Sequence, residues 1–342
     1  MKLVERINAF CRLGKILRDS LEGVNESYSS DLEKLINDQQ YKNPWFTPDN
    51  VRMAIKAIAD EMTFENLESW TNSYPELNSK RKSINVGVVM AGNIPLVGFH
   101  DFLSVLIADH SLTAKTSSKD QQLIIFISKV LCEINPEFSD KITFTEGLLK
   151  GFDAIIASGS DNSSRYFEYY FGKYPHIIRK NRNSIAILTG SETKEVLSRL
   201  GSDVFLYFGL GCRSVSKIYV PDGYDIKRLT ASWKEYDHII NHNKYANNYD
   251  YNKAVFIVNK DKFLDAGFLL CKRSTGISSP VAVLYFEYYD SINNVYMEIE
   301  RIKTKIQCIV SDNDIPFGMA QSPHLWDYAD GLDTIDFLLK KN

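Results

Sequence analysis

Between residues 84 and 158 short β-branched runs alternate with longer apolar ones, and this alternation constrains the fold more than any other feature of the chain. Ile84-Asn85-Val86-Gly87-Val88-Val89-Met90 reads as a buried strand, followed by the turn Ala91-Gly92-Asn93-Ile94-Pro95 and an apolar helix over 96–109. The next strand is Leu112-Thr113-Ala114-Lys115-Thr116-Ser117, with a helix around 121–132 behind it, and residues 142–145 and 153–158 supply two more strands. Strand and helix in this order predict an α/β fold in which helices pack on a parallel sheet. Such a sheet takes ligands at the carboxyl ends of its strands. Those ends carry Gly92 and Asn93, then Lys115, Thr116, Ser117, Ser118 and Lys119, then Ser158, Gly159 and Ser160. Small and hydroxyl residues before a helix can offer backbone N–H groups to phosphate, and they serve equally well as turns and caps. No Gly-x-Gly-x-x-Gly fingerprint and no Walker loop occurs.

Ahead of this alternation, residues 1–80 show helical spacing at Val4, Ile7, Phe10, Leu13 and Leu17, and again at Val51, Ile55, Ile58 and Met62. Thr47 before Pro48 is a helix start, so a helical arm packed on the following domain is expected. The chain has 342 residues and a net charge of -3, which suits two domains and gives no reason to expect nucleic acid or an anionic membrane as partner. The first twenty residues mix charge with apolar positions as an amphipathic helix does, and no apolar run approaches the roughly 20 residues of a membrane span. The five cysteines are scattered, with no Cys-x-x-Cys pair, so neither a disulfide framework nor a zinc site is expected. A reducing, cytoplasmic setting follows. His238 and His242 are four apart, but Ile239 stands where a His-Glu-x-x-His site has its glutamate, and no metal is predicted.

A second feature concerns chemistry. A helix predicted over 193–208 ends in Phe208-Gly209-Leu210-Gly211, releasing Cys212 just before the alternating run Ser214-Val215-Ser216-Lys217-Ile218-Tyr219-Val220-Pro221. Gly209 and Gly211 leave clearance at the sulfur, and Arg213 could hold a thiolate. A cysteine is also among the most buried residue types, and a small core residue is the competing reading.

Gly-Cys-Arg-Ser-Val-Ser-Lys-Ile-Tyr-Val-Pro resembles the nucleophile segment of the aldehyde dehydrogenase superfamily, and within it the acyl-CoA reductase (LuxC) branch. The resemblance implies a Rossmann-type cofactor domain over 81–182, an α/β catalytic domain over 183–314, and a closing segment over 315–342, behind the helical arm of 1–80. It makes Cys212 the nucleophile and Asn93 the amide donor of the oxyanion hole, in the turn that begins at Gly92. Lys115-Thr116-Ser117 resembles the Lys-Pro-Ser segment at the adenosine ribose, and Ser158-Gly159-Ser160 the Thr-Gly-Ser segment beside the pyrophosphate and nicotinamide. An acyl thioester substrate, an acyl-activating synthetase as partner and a homo-oligomer are further implications.

Three departures from the superfamily pattern refine this. Arg182 and Asn183 stand about where a glutamate normally activates water, so hydrolysis of an acyl-cysteine should be slow and the reductive direction favoured. Ser118, followed by Lys119, replaces a glutamate that holds the adenosine ribose hydroxyls in many NAD-dependent relatives; with Lys115 nearby this favours the 2′-phosphate of NADPH. Gly276 occupies the place of the glutamate that holds the nicotinamide ribose. The expected activity is NADPH-dependent reduction of a fatty acyl thioester to the aldehyde; a non-catalytic acyl-binding scaffold and an acyl-phosphate reductase are the alternatives.

Overall fold

The computed structural model describes residues 1–340. Four helices come first: α1 (Leu3–Leu21), α2 (Ser29–Lys42), α3 (Pro48–Glu61) and α4 (Phe64–Asn72). The Thr47 side chain caps α3 by accepting from the Asn50 N–H, with Pro48 at the first helical position. The apolar stripe of α1 is fully buried at Phe10, Leu13 and Leu17. Phe10 meets Phe102 and Phe138 edge-on at 6.5 and 5.7 Å, so the arm shares its core with the sheet domain behind it.

That domain runs β1 (Asn85–Val89), α5 (Phe99–Ile107), β2 (Ser111–Lys115), α6 (Gln122–Ile134), β3 (Ile142–Thr145), β4 (Ala154–Ser158), α7 (Asp161–Phe171) and β5 (His176–Arg179). The sheet is parallel in the order β3-β2-β1-β4-β5. Chain progression reverses between β1 and β4, which places the ligand crevice of a doubly wound sheet at their carboxyl ends. Among the described residues, 1–180 and 324–340 form this first unit, the latter bringing back α12 (Thr334–Leu339).

Residues 181–323 form the second unit, a six-stranded sheet in the order β11-β6-β7-β10-β9-β8. Its strands are β6 (Asn183–Ile187), β7 (Val215–Pro221), β8 (Phe263–Asp265), β9 (Leu270–Arg273), β10 (Val283–Tyr289) and β11 (Ile306–Val310). Only β8 runs antiparallel to its neighbour. The helices are α8 (Lys194–Phe205), α9 (Ile226–Ser232), α10 (Asn243–Val258) and α11 (Ile292–Ile302).

Residues 255–258 read as a strand from Val255-Phe256-Ile257-Val258, yet they close α10. The buried face of that helix is Tyr245, Tyr249, Asn252 and Phe256, a helical spacing, while Ile257 and Val258 are 60% and 79% exposed. In α7 the side chains of Tyr166, Tyr169 and Tyr170 are all exposed.

Candidate active site

In the first unit the sequence-singled residues sit at the carboxyl ends of the parallel strands. Gly92 and Asn93 follow β1, Asn93 exposed to solvent. The turn after β2 is pressed against them: a Cβ added at Gly92 would lie 2.4 Å from Ser117 Oγ, so only glycine allows this approach. Asp120, 6% exposed, accepts from the Leu96 N–H at 2.8 Å through Oδ2 and fixes the far end of the Asn93 turn, where Leu96 holds a left-handed φ of 58°. Burial without a cationic partner pushes the Asp120 carboxyl well above the usual carboxylate range, and its Oδ1 is buried with no protein partner. From the other side Asn43, the residue after α2, donates to the Gly92 carbonyl at 3.3 Å.

Lys115 points away from this turn, donating to the carbonyls of Glu146 at 3.4 Å and Gly147 at 2.9 Å. Ser118 and Lys119 are exposed and share a small cleft with Gln39 and Lys42 of α2. At the end of β4, Ser160 caps α7 by accepting from the Ser163 N–H, and a Cβ at Gly159 would lie 2.8 Å from the Phe167 ring and 2.9 Å from Ser163. Ser158 is reached by Arg179, which also forms a buried two-pronged pair with Asp101. Two glycines held where no Cβ fits lie at the topological switch point, Gly159 beside the capped start of α7, and this arrangement suits the pyrophosphate of a dinucleotide.

In the second unit the chain leaves α8 through a strained turn. Tyr207, Phe208 and Gly209 hold φ values of 53°, 58° and 73°, and the two aromatic side chains are buried. Each non-glycine residue in this left-handed region costs of the order of 1–3 kcal/mol, which persists only where surrounding packing enforces it and is common beside functional groups. Cys212 follows at intermediate burial, just before β7. Its carbonyl accepts from Ser184 Oγ at 2.8 Å; Ser184 is fully buried on β6 and also accepts from the Cys308 N–H at 3.2 Å. Arg213 donates through Nε to the Ala320 carbonyl at 2.6 Å. That carbonyl's segment is held in turn by Asp203 of α8, whose carboxyl oxygens accept from the Gly318 N–H at 2.6 Å and the Ala320 N–H at 2.9 Å. Burial raises the Asp203 carboxyl to about 6 against the opposing pull of those two N–H groups. Cys212 is thus held through its own carbonyl, and the next residue through its side chain.

The segment carrying Gly276 is tied to the nucleophile strand. Ser216 donates to the Ile277 carbonyl at 2.6 Å, and the fully buried Lys217 donates to the Thr275 carbonyl at 3.1 Å and pairs with Glu287 at 2.5 Å. Arg182 donates to the Ile306 carbonyl at 3.3 Å and Asn183 opens β6. Neither histidine of the 238/242 pair shares a helical face with the other: His238 lies in a 3-10 segment and His242 caps α10 through Nδ1. Among the described residues no group of three or more His, Cys, Asp or Glu is arranged to hold a metal ion. No helix among them is long and apolar enough to cross a membrane.

Sequence reasoning missed Gln39, Lys42 and Asn43, because the arm reads as packing only, and Asp120 and Asp203, whose roles depend on backbone partners distant along the chain. A modest signal for Asp120 existed in its place one turn ahead of α6, beside the lysine and serines already singled out.

The model of the acyl-CoA reductase (LuxC) family matches residues 26–269. No curated protein matches the sequence. Among solved structures, aldehyde dehydrogenase 21 from Physcomitrella patens, in complex with the reaction product succinate, is similar at a TM-score of 0.69 and 12% identity, covering 100% of this chain and 84% of that one. The NAD+ complex of an aldehyde dehydrogenase from Bacillus cereus gives 0.61 and 13%, over 92% and 72%. An acetylating aldehyde dehydrogenase from Geobacillus thermoglucosidasius gives 0.60 and 11%, over 95% and 84%.

Proposed function

The chain belongs to the acyl-CoA reductase (LuxC) family, and from that premise we propose that it reduces a fatty acyl thioester to the aldehyde with NADPH through a covalent acyl-Cys212 intermediate. The observation that carries the reading is the setting of Cys212, half-buried after a left-handed turn, its carbonyl locked by Ser184 Oγ and the next residue, Arg213, fastened to the Ala320 carbonyl. The thiolate is the nucleophilic form of a cysteine.

In this reading residues 81–182, with the arm of 1–80, hold the cofactor, 183–314 carry the nucleophile, and 315–342 close the chain. Cys212 Sγ attacks the thioester carbonyl; its new C–S bond replaces that of the carrier thiol, which leaves as thiolate. The resemblance assigns the oxyanion's amide donor to Asn93, held in a turn fixed by Asp120 and Asn43. What the nicotinamide supplies when bound is a hydride. Reduction of the acyl-cysteine would give a thiohemiacetal oxyanion, whose collapse expels the Cys212 thiolate and releases the aldehyde. Gly92, Ser117, Ser158, Gly159 and Ser160 would cradle the dinucleotide, while Lys115, Ser118 and Lys119 flank its adenosine end. Arg182 and Asn183 supply no carboxylate to activate water, so the acyl-enzyme persists long enough to be reduced. The Bacillus cereus neighbour binds NAD+; for this chain the cations near Ser118 favour the phosphorylated cofactor.

The test is NADPH oxidation with a panel of acyl-CoA thioesters and trapping of the product. Wild type should yield one aldehyde per NADPH and Cys212→Ala none. Faster turnover of acyl phosphates would move the activity to a sibling reductase, and acylation of Cys212 without NADPH binding would make the chain an acyl carrier. A dimer or larger assembly and capture of an acyl-activating synthetase are further expectations, checked by light scattering and by reconstituted transfer.

A further inference from the structure

The last turn of α2 enters the cofactor side of the first unit. Gln39, 1% exposed, donates to Gln122 Oε1 at 3.1 Å and to the Leu35 carbonyl at 3.1 Å. Asn43, 4% exposed, donates to the Gly92 carbonyl at 3.3 Å. The helix end is therefore fastened at two points, one on α6 and one on the turn after β1. Lys42 lies three residues beyond Gln39, on the same face. It lines, with Gln39, Ser118, Lys119, Gln121 and Gln122, a cleft of about 60 Å³. Two ammonium groups, three carboxamides and a hydroxyl face that space, and no acidic side chain does. The cleft adjoins the turn after β2, the position that meets the adenosine ribose in a doubly wound sheet.

We propose that this cleft binds a phosphate borne on an adenosine ribose, and that Lys42, from the helical arm, is a specificity-determining cation for it alongside Lys119. The inference rests on the reading of the chain as a user of NADPH and acyl-CoA. Both ligands present that chemistry, at the ribose 2′ position in NADPH and the 3′ position in CoA. Lys115, with its ammonium on the Glu146 and Gly147 carbonyls, is outside the cleft.

The test is equilibrium binding to the full chain, independent of turnover: NADPH and NADH by nucleotide fluorescence, CoA and dephospho-CoA by calorimetry. Wild type is compared with Lys42→Gln, Lys119→Gln and Lys42→Arg. Loss of one charge-assisted contact should weaken binding of the phosphorylated ligand about tenfold or more and leave its unphosphorylated counterpart within about twofold. Lys42→Arg should retain most of the discrimination. Selective loss in the NADPH pair assigns the cleft to the cofactor, and in the CoA pair to the thioester carrier. Equal loss within both pairs, or no loss, overturns the proposal. If wild type reduces acyl-CoA with NADPH while Lys42→Gln discriminates as wild type does, only this inference fails. If selective loss is seen but no acyl-CoA is reduced, the cleft stands and the reductase reading falls.

Discussion

Asp101 and Arg179 form a buried pair whose disruption has a calculable consequence. The guanidinium Nη1 meets Asp101 Oδ2 at 2.5 Å and Nη2 meets Oδ1 at 2.8 Å, with side chains 6% and 8% exposed. The same guanidinium reaches Ser158 Oγ at 3.3 Å and Thr334 Oγ1 at 3.0 Å, so the pair joins α5, the ends of β4 and β5, and the start of α12. Replacing Asp101 by Asn leaves a buried cation short of its counter-charge, and replacing Arg179 by Met leaves a buried anion. Each should destabilise by about 3–5 kcal/mol, because the residual charge keeps its desolvation penalty and loses its compensation. The double variant buries neither charge and should lose well under the sum of the singles, with a coupling energy of about 2–3 kcal/mol. Urea denaturation followed by circular dichroism provides the measurement, fitted with a separate transition for each unit because a chain of two compact units need not unfold in one step. Additive losses would refute the reasoning. Arg179→Met should also weaken NADPH binding, since Ser158 at the end of β4 loses its buried donor.

Other perturbations probe the anchors separately. Asp203 is raised from an ordinary 3.8 to about 6 in the folded chain, so the native state binds the extra proton and this residue's contribution to stability falls as pH rises from about 4 to about 6; relative to Asp203→Asn, wild-type stability should decline by up to about 3 kcal/mol across that window, and a flat difference in melts would contradict it. Burial raises the Asp120 carboxyl, and Asp120→Asn keeps an uncharged acceptor for the Leu96 N–H, so it should stay within about 1 kcal/mol of wild type at pH 7, whereas Asp120→Ala, which leaves that N–H buried and unpaired, should lose about 1–3 kcal/mol. Gly159→Ala forces a Cβ against Phe167 and Ser163 and should weaken NADPH and NADH binding alike, by an overpacking cost of about 1–3 kcal/mol at the start of α7.

The parallel sheet of the first unit was legible because its strands are short β-branched runs, each ending in small polar residues, and helices of matching period lie between them. The position of Cys212, just ahead of a strand, was legible from two glycines and the alternating run that follows. The error at residues 255–258 came from weighing four apolar residues locally; the period that decides the matter runs back through Phe256, Asn252, Tyr249 and Tyr245, and includes an asparagine whose amide is buried on the Val281 carbonyl at 3.0 Å. Gln39 and Lys42 gave no signal because their partners lie about eighty residues away, at Ser118 to Gln122, and helical periodicity reports which face is buried but not what it meets. The strain at Tyr207 and Phe208 was invisible for a related reason: both residue types disfavour positive φ, so the conformation is imposed by packing and cannot be read from propensity.

The acyl-enzyme is the central intermediate of the proposed reaction. Incubating the protein with a saturated fatty acyl-CoA in the absence of nicotinamide cofactor, quenching in acid and mapping peptides by mass spectrometry tests it directly. The expected result is a single acyl adduct on the peptide containing Cys212, discharged as aldehyde when NADPH is added, and no adduct in Cys212→Ala. Aldehyde formation by the Cys212→Ala variant, or a productive adduct on Cys11, Cys132, Cys271 or Cys308 instead, would contradict it.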